Sequence, residues 1–262
     1  MPSRIALWRT VRGGMLAALL ALAGCGAAPT TSSPGGSASA VRPTATTTSA
    51  ASAGPTVRYI AIGASDAVGV GASDQNHTAY VPLLISRLPK GSAALNLGIS
   101  GETLSGAIRD ELPQAVAAKP TLITVWLVGN DFKNCVPLQQ YGADLNTLLT
   151  DLAQQTSAKV FVANAPDFST LPAIQQAAAG GTFCGAPGTV ASVRAMSQQW
   201  NTVINASVTA HHDTLIDLFN SELTSHPDYI SGDGFHPSDQ GYLALANLFW
   251  TAIKAQGAVP TA

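Results

Sequence analysis

The sequence has few cysteines, few charged residues and no internal repeats. Its 262 residues include three cysteines and five histidines, and these are not clustered with the spacing of a metal site. The charged fraction is 11% and the formal net charge is −2, so the chain lacks the basic excess that nucleic acids attract. The apolar run at residues 13–24 is too short to span a bilayer. The composition therefore argues against a metal site, a nucleic-acid partner and a membrane-spanning N-terminus.

The N-terminus has the features of an export signal. Three arginines precede the apolar run, and the run ends in Leu-Ala-Gly followed by Cys25. A basic segment, a short apolar core and small residues at its end are typical of a secretory signal. This ending resembles a bacterial lipobox, in which the cysteine is lipidated and becomes the new N-terminus. We therefore predict a lipoprotein signal peptide over residues 1–24; the alternative is an ordinary signal peptide with a chance cysteine.

Residues 25–55 consist mainly of Ala, Ser, Thr, Pro and Gly. Such a segment cannot bury apolar surface, so we predict a disordered tether of about thirty residues that spans roughly 30 Å. It would connect lipidated Cys25 to a globular domain over residues 56–262. Removal of the signal leaves ten basic against fifteen acidic side chains and a net charge of −5. We expect the mature protein on the extracytoplasmic side of the cell membrane, held by its lipid anchor only.

Two further cysteines, Cys135 and Cys184, lie in the exported part of the chain. An oxidising compartment favours a disulfide between them, which would join two loops. Two free buried thiols are the alternative.

From residue 57 onward, apolar strand-like runs alternate with segments of helical period. This alternation predicts one α/β domain with a parallel sheet covered by helices on both faces. The long section from 167 to 188 has no clear period and is predicted to be irregular. The predicted strands are 57–62, 93–97, 121–128, 159–163 and 214–218, and the predicted helices are 80–88, 102–118 with a break at Pro113, 138–155, 190–210 and 237–255.

Polar or glycine residues follow three of these strands. Ser65 comes after the first strand, Gly98 after the second and Asn130 after the third. Asp233 and His236 follow the last strand, just before the closing helix. In a parallel sheet all of these positions lie at the same edge, where binding sites of α/β proteins form. Ser65 alone is equally well explained as a helix cap, but the convergence of the five residues favours nucleophilic acyl transfer.

Four sequence blocks at these positions resemble those of the SGNH (GDSL-type) hydrolases, and the resemblance covers residues 57–255. It implies a flavodoxin-like three-layer αβα sandwich with a mostly parallel sheet of about five strands. Each block alone is weak, but four in the right order at strand ends are specific. The blocks are Gly63-Ala64-Ser65 with Gly69 and Gly71, Asn96-x-Gly98-x-Ser100-Gly101-x-Thr103, Gly129-Asn130-Asp131, and Asp233-x-x-His236-Pro237.

The resemblance also implies a role for each residue. Ser65 would attack the acyl carbonyl, His236 would take its proton, and Asp233 would fix the imidazole tautomer. The backbone N–H groups of Ser65 and Gly98 and the side-chain amide of Asn130 would form the oxyanion hole. No cofactor is needed for this chemistry.

The sequence departs from the family pattern at Ala64, where an aspartate usually precedes the nucleophile. This departure is the reason to keep a second hypothesis, a non-catalytic binding lipoprotein on the same fold. A second Asp-x-x-His, Asp74 to His77, is a weak rival for the base because it lies in the loop after Ser65 rather than after the last strand.

The leading hypothesis is therefore a surface-tethered, serine-dependent carboxylic ester hydrolase. Its substrate would be a small-molecule or glycan-borne ester, with thioesterase or lysophospholipase activity as the alternative within the same chemistry, and we expect a monomer. Phe168, Leu171 and Phe183 are candidate apolar contacts for substrate, although buried core residues under a loop would give the same pattern.

Overall fold

The computed structural model describes residues 57–260. The predicted signal peptide at 1–24, the lipidation of Cys25 and the whole of the 25–55 tether lie outside the described residues and stay predictions. Within 57–260, no helix is both long and apolar enough to cross a membrane.

Five strands form the central sheet, and every neighbouring pair is parallel. In chain order they are β1 (Arg58–Gly63), β2 (Ala93–Asn96), β3 (Leu122–Trp126), β4 (Lys159–Ala163) and, after two short strands outside this sheet, β7 (Thr214–Ile216). The strand order is β2-β1-β3-β4-β7, which is the flavodoxin-like order with its switch point between β1 and β3. The first strand and the third are almost wholly buried, as expected for strands covered on both faces.

Helices form two groups that flank the sheet. In one group α2 packs against α9, and in the other α3, α4 and α8 pack against α6. The prediction of an αβα sandwich around about five strands is confirmed. The helices are α1 (Ser65–Val68), α2 (Tyr80–Ile85), α3 (Leu104–Asp110), α4 (Leu112–Ala117), α5 (Gly129–Lys133), α6 (Leu138–Gln155), α7 (Pro172–Ala178), α8 (Val190–Ala210) and α9 (Asp239–Ala255).

The section from 167 to 188 is more regular than its sequence predicts. It contains a 3-10 turn at Phe168–Thr170, helix α7, and a two-stranded hairpin of β5 (Thr182–Phe183) and β6 (Ala186–Pro187). The prediction of an irregular segment is therefore wrong. Proline at the first position of α7 starts that helix, a signal that the Ala-rich composition around it conceals.

Two aromatic clusters support the carboxyl edge of the sheet from either side. Tyr80 stacks on Phe249 of α9 with ring centroids 5.6 Å apart. On the other side Phe132 of α5 packs on Phe168 and Phe183, at 4.4 and 5.6 Å. These contacts anchor α5 and the 167–188 section to the core.

A disulfide joins Cys135 to Cys184, whose Cα atoms are 5.2 Å apart. Cys135 lies two residues after the end of α5, and Cys184 lies in the turn of the β5–β6 hairpin. The bridge therefore fixes the hairpin to the segment that begins with the Gly129-Asn130 step.

Loss of this bridge is predicted to destabilise the domain without changing its fold. The bridge closes a loop of 49 residues, and constraint of the unfolded chain by a loop of this size is worth about 2–4 kcal/mol. Cys135→Ser with Cys184→Ser should lower the free energy of unfolding by this amount in chemical denaturation. Dithiothreitol should destabilise the wild type equally and leave the double variant unaffected; an equal effect on both proteins would contradict the prediction.

Candidate active site

The first strand ends in a turn that presents Ser65 at the sheet edge. Gly63 closes the strand, and a Cβ atom there would lie 2.8 Å from the Cβ of Ala67, so only glycine fits. The carbonyl of Ala64 accepts the N–H of Ala67 at 3.0 Å. Backbone hydrogen bonds therefore close this turn, and they do not require the aspartate that the family usually places at position 64.

A chain of hydrogen bonds runs from Ser65 through His236 to Asp233. His236 Nε2 lies 2.8 Å from Ser65 Oγ, and His236 Nδ1 lies 2.5 Å from Asp233 Oδ2. Ser65 is 7% exposed. The structure therefore brings together the three residues for which the sequence analysis predicts a role in acyl transfer.

The Asp233 carboxylate also organises the loop that carries His236. Its Oδ1 accepts the hydroxyl of Ser231 at 2.9 Å and the backbone N–H groups of Phe235 and His236 at 2.8 and 2.9 Å. Burial alone would raise the pKa of Asp233, but the hydrogen bonds from His236, these two amides and Ser231 lower it to about 2. Asp233 is therefore ionised at neutral pH and can orient the imidazole.

Backbone contacts close the loop that carries His236, and this loop lies close to the nucleophile loop at Gly71. Ile230 and Pro237 form an antiparallel bridge, and Ser231 N–H donates to the His236 carbonyl at 2.8 Å. A Cβ at Gly71, where φ is +94°, would lie 2.6 Å from the Pro237 carbonyl oxygen. Glycine at position 71 thus permits the close approach of the two loops.

Asn130 lies at the start of α5 and is 7% exposed. Its Nδ2 donates to the carbonyl of Glu102 at 2.9 Å. The neighbouring Asp131 accepts the N–H of Leu104 at 3.0 Å, and burial raises the pKa of Asp131 to about 6. These two bonds hold Asn130 and Asp131 against the segment that follows β2.

Gly98 lies beside the nucleophile turn, and its amide is hydrogen-bonded to a side chain of its own loop. A Cβ there would be 2.6 Å from the Cβ of Ala67, so glycine is required. The Gly98 N–H donates to Asn96 Oδ1 at 3.1 Å, and Asn96 Nδ2 donates to the Ala67 carbonyl at 2.6 Å. The expected oxyanion donor is therefore close to Ser65 but bonded to a neutral side-chain amide.

Glu111 supports the nucleophile turn through a hydrogen bond to Gly63, a contact that the sequence analysis did not predict. This fully buried residue lies between α3 and α4, and its Oε2 accepts the N–H of Gly63 at 2.9 Å. Within residues 57–260, its Oε1 is buried without a hydrogen-bond partner. Burial raises the pKa of Glu111 to about 8. The signal that could have revealed it is an acid in an otherwise apolar helical face.

The rival pair Asp74 and His77 is formed but lies away from Ser65. Their side chains meet at 2.8 Å and are 50% and 79% exposed. Ser65 Oγ has its hydrogen bond with His236 and none with this pair. Among residues 57–260, no group of three or more His, Cys, Asp or Glu side chains is arranged to hold a metal ion.

The candidate apolar contacts divide into two sets. Phe168 and Leu171 line a small pocket together with Gly129, which precedes Asn130, and Pro237, which follows His236. Phe183 packs on Phe132 in the core instead. The 167–188 section thus contributes two of the three proposed side chains to the surroundings of the site.

Comparison with known proteins identifies a matching family and several similar folds. The model of the GDSL-like lipase/acylhydrolase family matches residues 61–244. No curated protein sequence matches the chain.

Several solved structures are similar in fold at low sequence identity. A lipase/acylhydrolase from Enterococcus faecalis is 18% identical, with a TM-score of 0.60 over 79% of this chain and 100% of that one. An acetylxylan esterase from Geobacillus stearothermophilus is 18% identical, with a TM-score of 0.58 over 80% and 99%. An extracellular lipase from Streptomyces rimosus is 18% identical, with a TM-score of 0.58 over 75% and 99%.

Replacement of Glu111 by glutamine is predicted to remove part of the pH dependence of stability. The folded protein holds this proton up to a pKa of about 8, against an ordinary value of 4.5. Between these values the unfolded chain has lost the proton, so rising pH lowers the free energy of unfolding by at most about 1.4 kcal/mol per pH unit. Glu111→Gln keeps an acceptor for Gly63 N–H and cannot ionise.

Chemical denaturation at pH 5 and pH 8 measures this difference. The wild type should lose more stability than Glu111→Gln between the two values, because all other titrating groups are shared by both proteins. Parallel pH profiles would show that Glu111 does not hold its proton in the folded state.

Proposed function

The chain belongs to the GDSL-like lipase/acylhydrolase family and is a carboxylic ester hydrolase, and we propose that it works through an acyl-enzyme formed on Ser65. The observation that carries this proposal is the hydrogen-bonded chain from Ser65 Oγ through His236 to Asp233. A serine hydroxyl needs an adjacent base to become a nucleophile, and the base needs a third group to orient it.

In the first step Ser65 Oγ bonds to the ester carbonyl carbon while its proton moves to His236 Nε2. Collapse of the tetrahedral intermediate breaks the ester C–O bond, and His236 returns the proton to the leaving alcohol. Water then attacks the acyl-enzyme with His236 again as base, which releases the carboxylic acid and restores Ser65. Asp233 stays ionised throughout and stabilises the imidazolium.

We assign the oxyanion hole to the Ser65 N–H, the Gly98 N–H and the Asn130 side-chain amide. One Nδ2 hydrogen of Asn130 is used by the Glu102 carbonyl, and the second is available to the developing charge. The Gly98 N–H would exchange the Asn96 side-chain oxygen for the oxyanion, because hydrogen bonds to an ionised acceptor are stronger than those to a neutral one.

The position of the site in the fold supports this assignment. Ser65 follows β1 and Asn130 follows β3, and these two strands flank the switch point of the sheet. Ligands of open α/β sheets bind in the crevice at that point.

We further propose that the enzyme is exported and held at the membrane by a lipid on Cys25, with residues 25–55 as the tether. The disulfide between Cys135 and Cys184 supports an oxidising compartment outside the cytoplasm. The substrate would then be a small-molecule or glycan-borne ester, hydrolysed by a monomer without cofactor or nucleic acid.

Replacement of the nucleophile tests the proposed mechanism. Ser65→Ala should lower kcat on p-nitrophenyl acetate and butyrate by about 10,000-fold or more, because the reaction loses its covalent step. It should also abolish labelling by a fluorophosphonate.

The matched control is Ser86→Ala, which removes an exposed hydroxyl bonded to the Leu83 carbonyl. Ser86→Ala should keep wild-type kcat and labelling. Retention of labelling or of ester hydrolysis in folded Ser65→Ala would show that the nucleophile is another residue.

A further inference from the structure

A small pocket lies directly beside the proposed catalytic residues. Three of its lining residues are chain neighbours of that machinery: Asp66 follows Ser65, Gly129 precedes Asn130 and Pro237 follows His236. Its volume is about 20 Å³, enough for about one water molecule or a group of similar size. The other lining residues are mostly apolar: Trp126, Pro166, Phe168, Leu171, Leu223, Thr224, Ile230 and Phe235.

Asp66 is the one acidic residue in this lining, and it is 9% exposed. Within residues 57–260, its carboxylate makes no hydrogen bond to another residue, and its own backbone N–H is the group that contacts it. Burial raises its pKa to about 6, and the charge of nearby His236 opposes that rise. A buried carboxyl group without a hydrogen bond to another residue therefore lies in a mostly apolar pocket.

Trp126, another lining residue, also carries an unpaired polar group. Its indole Nε1 is buried without a hydrogen-bond acceptor in the described part of the chain. A buried polar group without a partner loses its hydration and gains no hydrogen bond in return. Such groups in a pocket next to a nucleophile indicate that a polar ligand completes them.

On the basis of the proposed function, we infer that Asp66 is a specificity residue, which selects esters with a hydroxyl on the substituent that enters this pocket. The hydroxyl donates to the Asp66 carboxylate, and its oxygen is an acceptor of the kind that Trp126 Nε1 lacks. A hydrocarbon of the same size leaves both groups unpaired. Sites built to bond a substrate hydroxyl discriminate strongly against the analogue without it.

The pocket limits the size of the substituent in addition to selecting its polarity. The aromatic ring of Phe235 covers Gly129, with its Cζ 3.2 Å from the position of a Cβ there. With Phe168 and Leu171 also in the wall, the pocket has room for a short hydroxylated group and not for a long acyl chain.

Two pairs of isosteric esters test the inference on the purified protein. Ethyl glycolate and ethyl propionate differ by a hydroxyl against a methyl on the acyl side. 2-Hydroxyethyl acetate and propyl acetate differ in the same way on the alcohol side. Acid release gives kcat/KM for each ester, and the ratio within a pair is compared between the wild type and Asp66→Leu, so that intrinsic ester reactivity cancels.

We expect the hydroxyl preference within one pair to fall about tenfold in Asp66→Leu, and the pair that changes identifies which side of the ester enters the pocket. Asp66→Asn has the size of the native side chain and a weaker acceptor, so it should lose several-fold of the same preference. It provides the same test if the leucine variant does not fold.

Unchanged ratios in both variants, including an equal fall in all four kcat/KM values, would overturn the inference. Failure of the proposed function would look different: Ser65→Ala would then hydrolyse the four esters as fast as the wild type.

Discussion

The hydrogen bond between Ser65 Oγ and His236 Nε2 is the interaction on which the site depends. It joins residues 171 positions apart in the sequence at a distance of 2.8 Å. One partner is fixed by the end of a central strand and the other by a loop before the last helix. A Cβ atom at position 71 would clash with the Pro237 carbonyl oxygen, so glycine at this position allows these two loops to meet. The fold therefore makes the chemistry possible by bringing two distant chain segments together.

Buried carboxyl groups hold the segments around this bond. Glu111 accepts the amide of Gly63 just before the nucleophile turn, and Asp131 accepts the amide of Leu104 beside the Asn130 step. Burial raises the pKa of each of these acids. Each tolerates burial because a backbone N–H partly offsets the cost of desolvation. Asp66 differs because it bonds to no other residue in the described chain, which is why we assign it to the substrate.

The convergence of the site residues could be predicted from the sequence, because parallel strands place their carboxyl ends on one edge of the sheet. The order of apolar runs and polar residues along the chain was enough to locate Ser65, Asn130 and His236 at that edge. It could not predict the hydrogen-bond partner of the Gly98 amide, since that depends on the rotamer of Asn96. It also missed Glu111, whose role depends on a tertiary contact 48 positions away.

The most direct test of the central claim is a crystal structure of the enzyme after reaction with a phosphonate ester. We predict a covalent bond from phosphorus to Ser65 Oγ, with His236 retained beside it. A phosphoryl oxygen should lie about 2.7–3.1 Å from both Asn130 Nδ2 and the Gly98 amide, which would have left Asn96. Phosphorus on another residue, or an oxygen that points away from Asn130, would contradict the proposed mechanism.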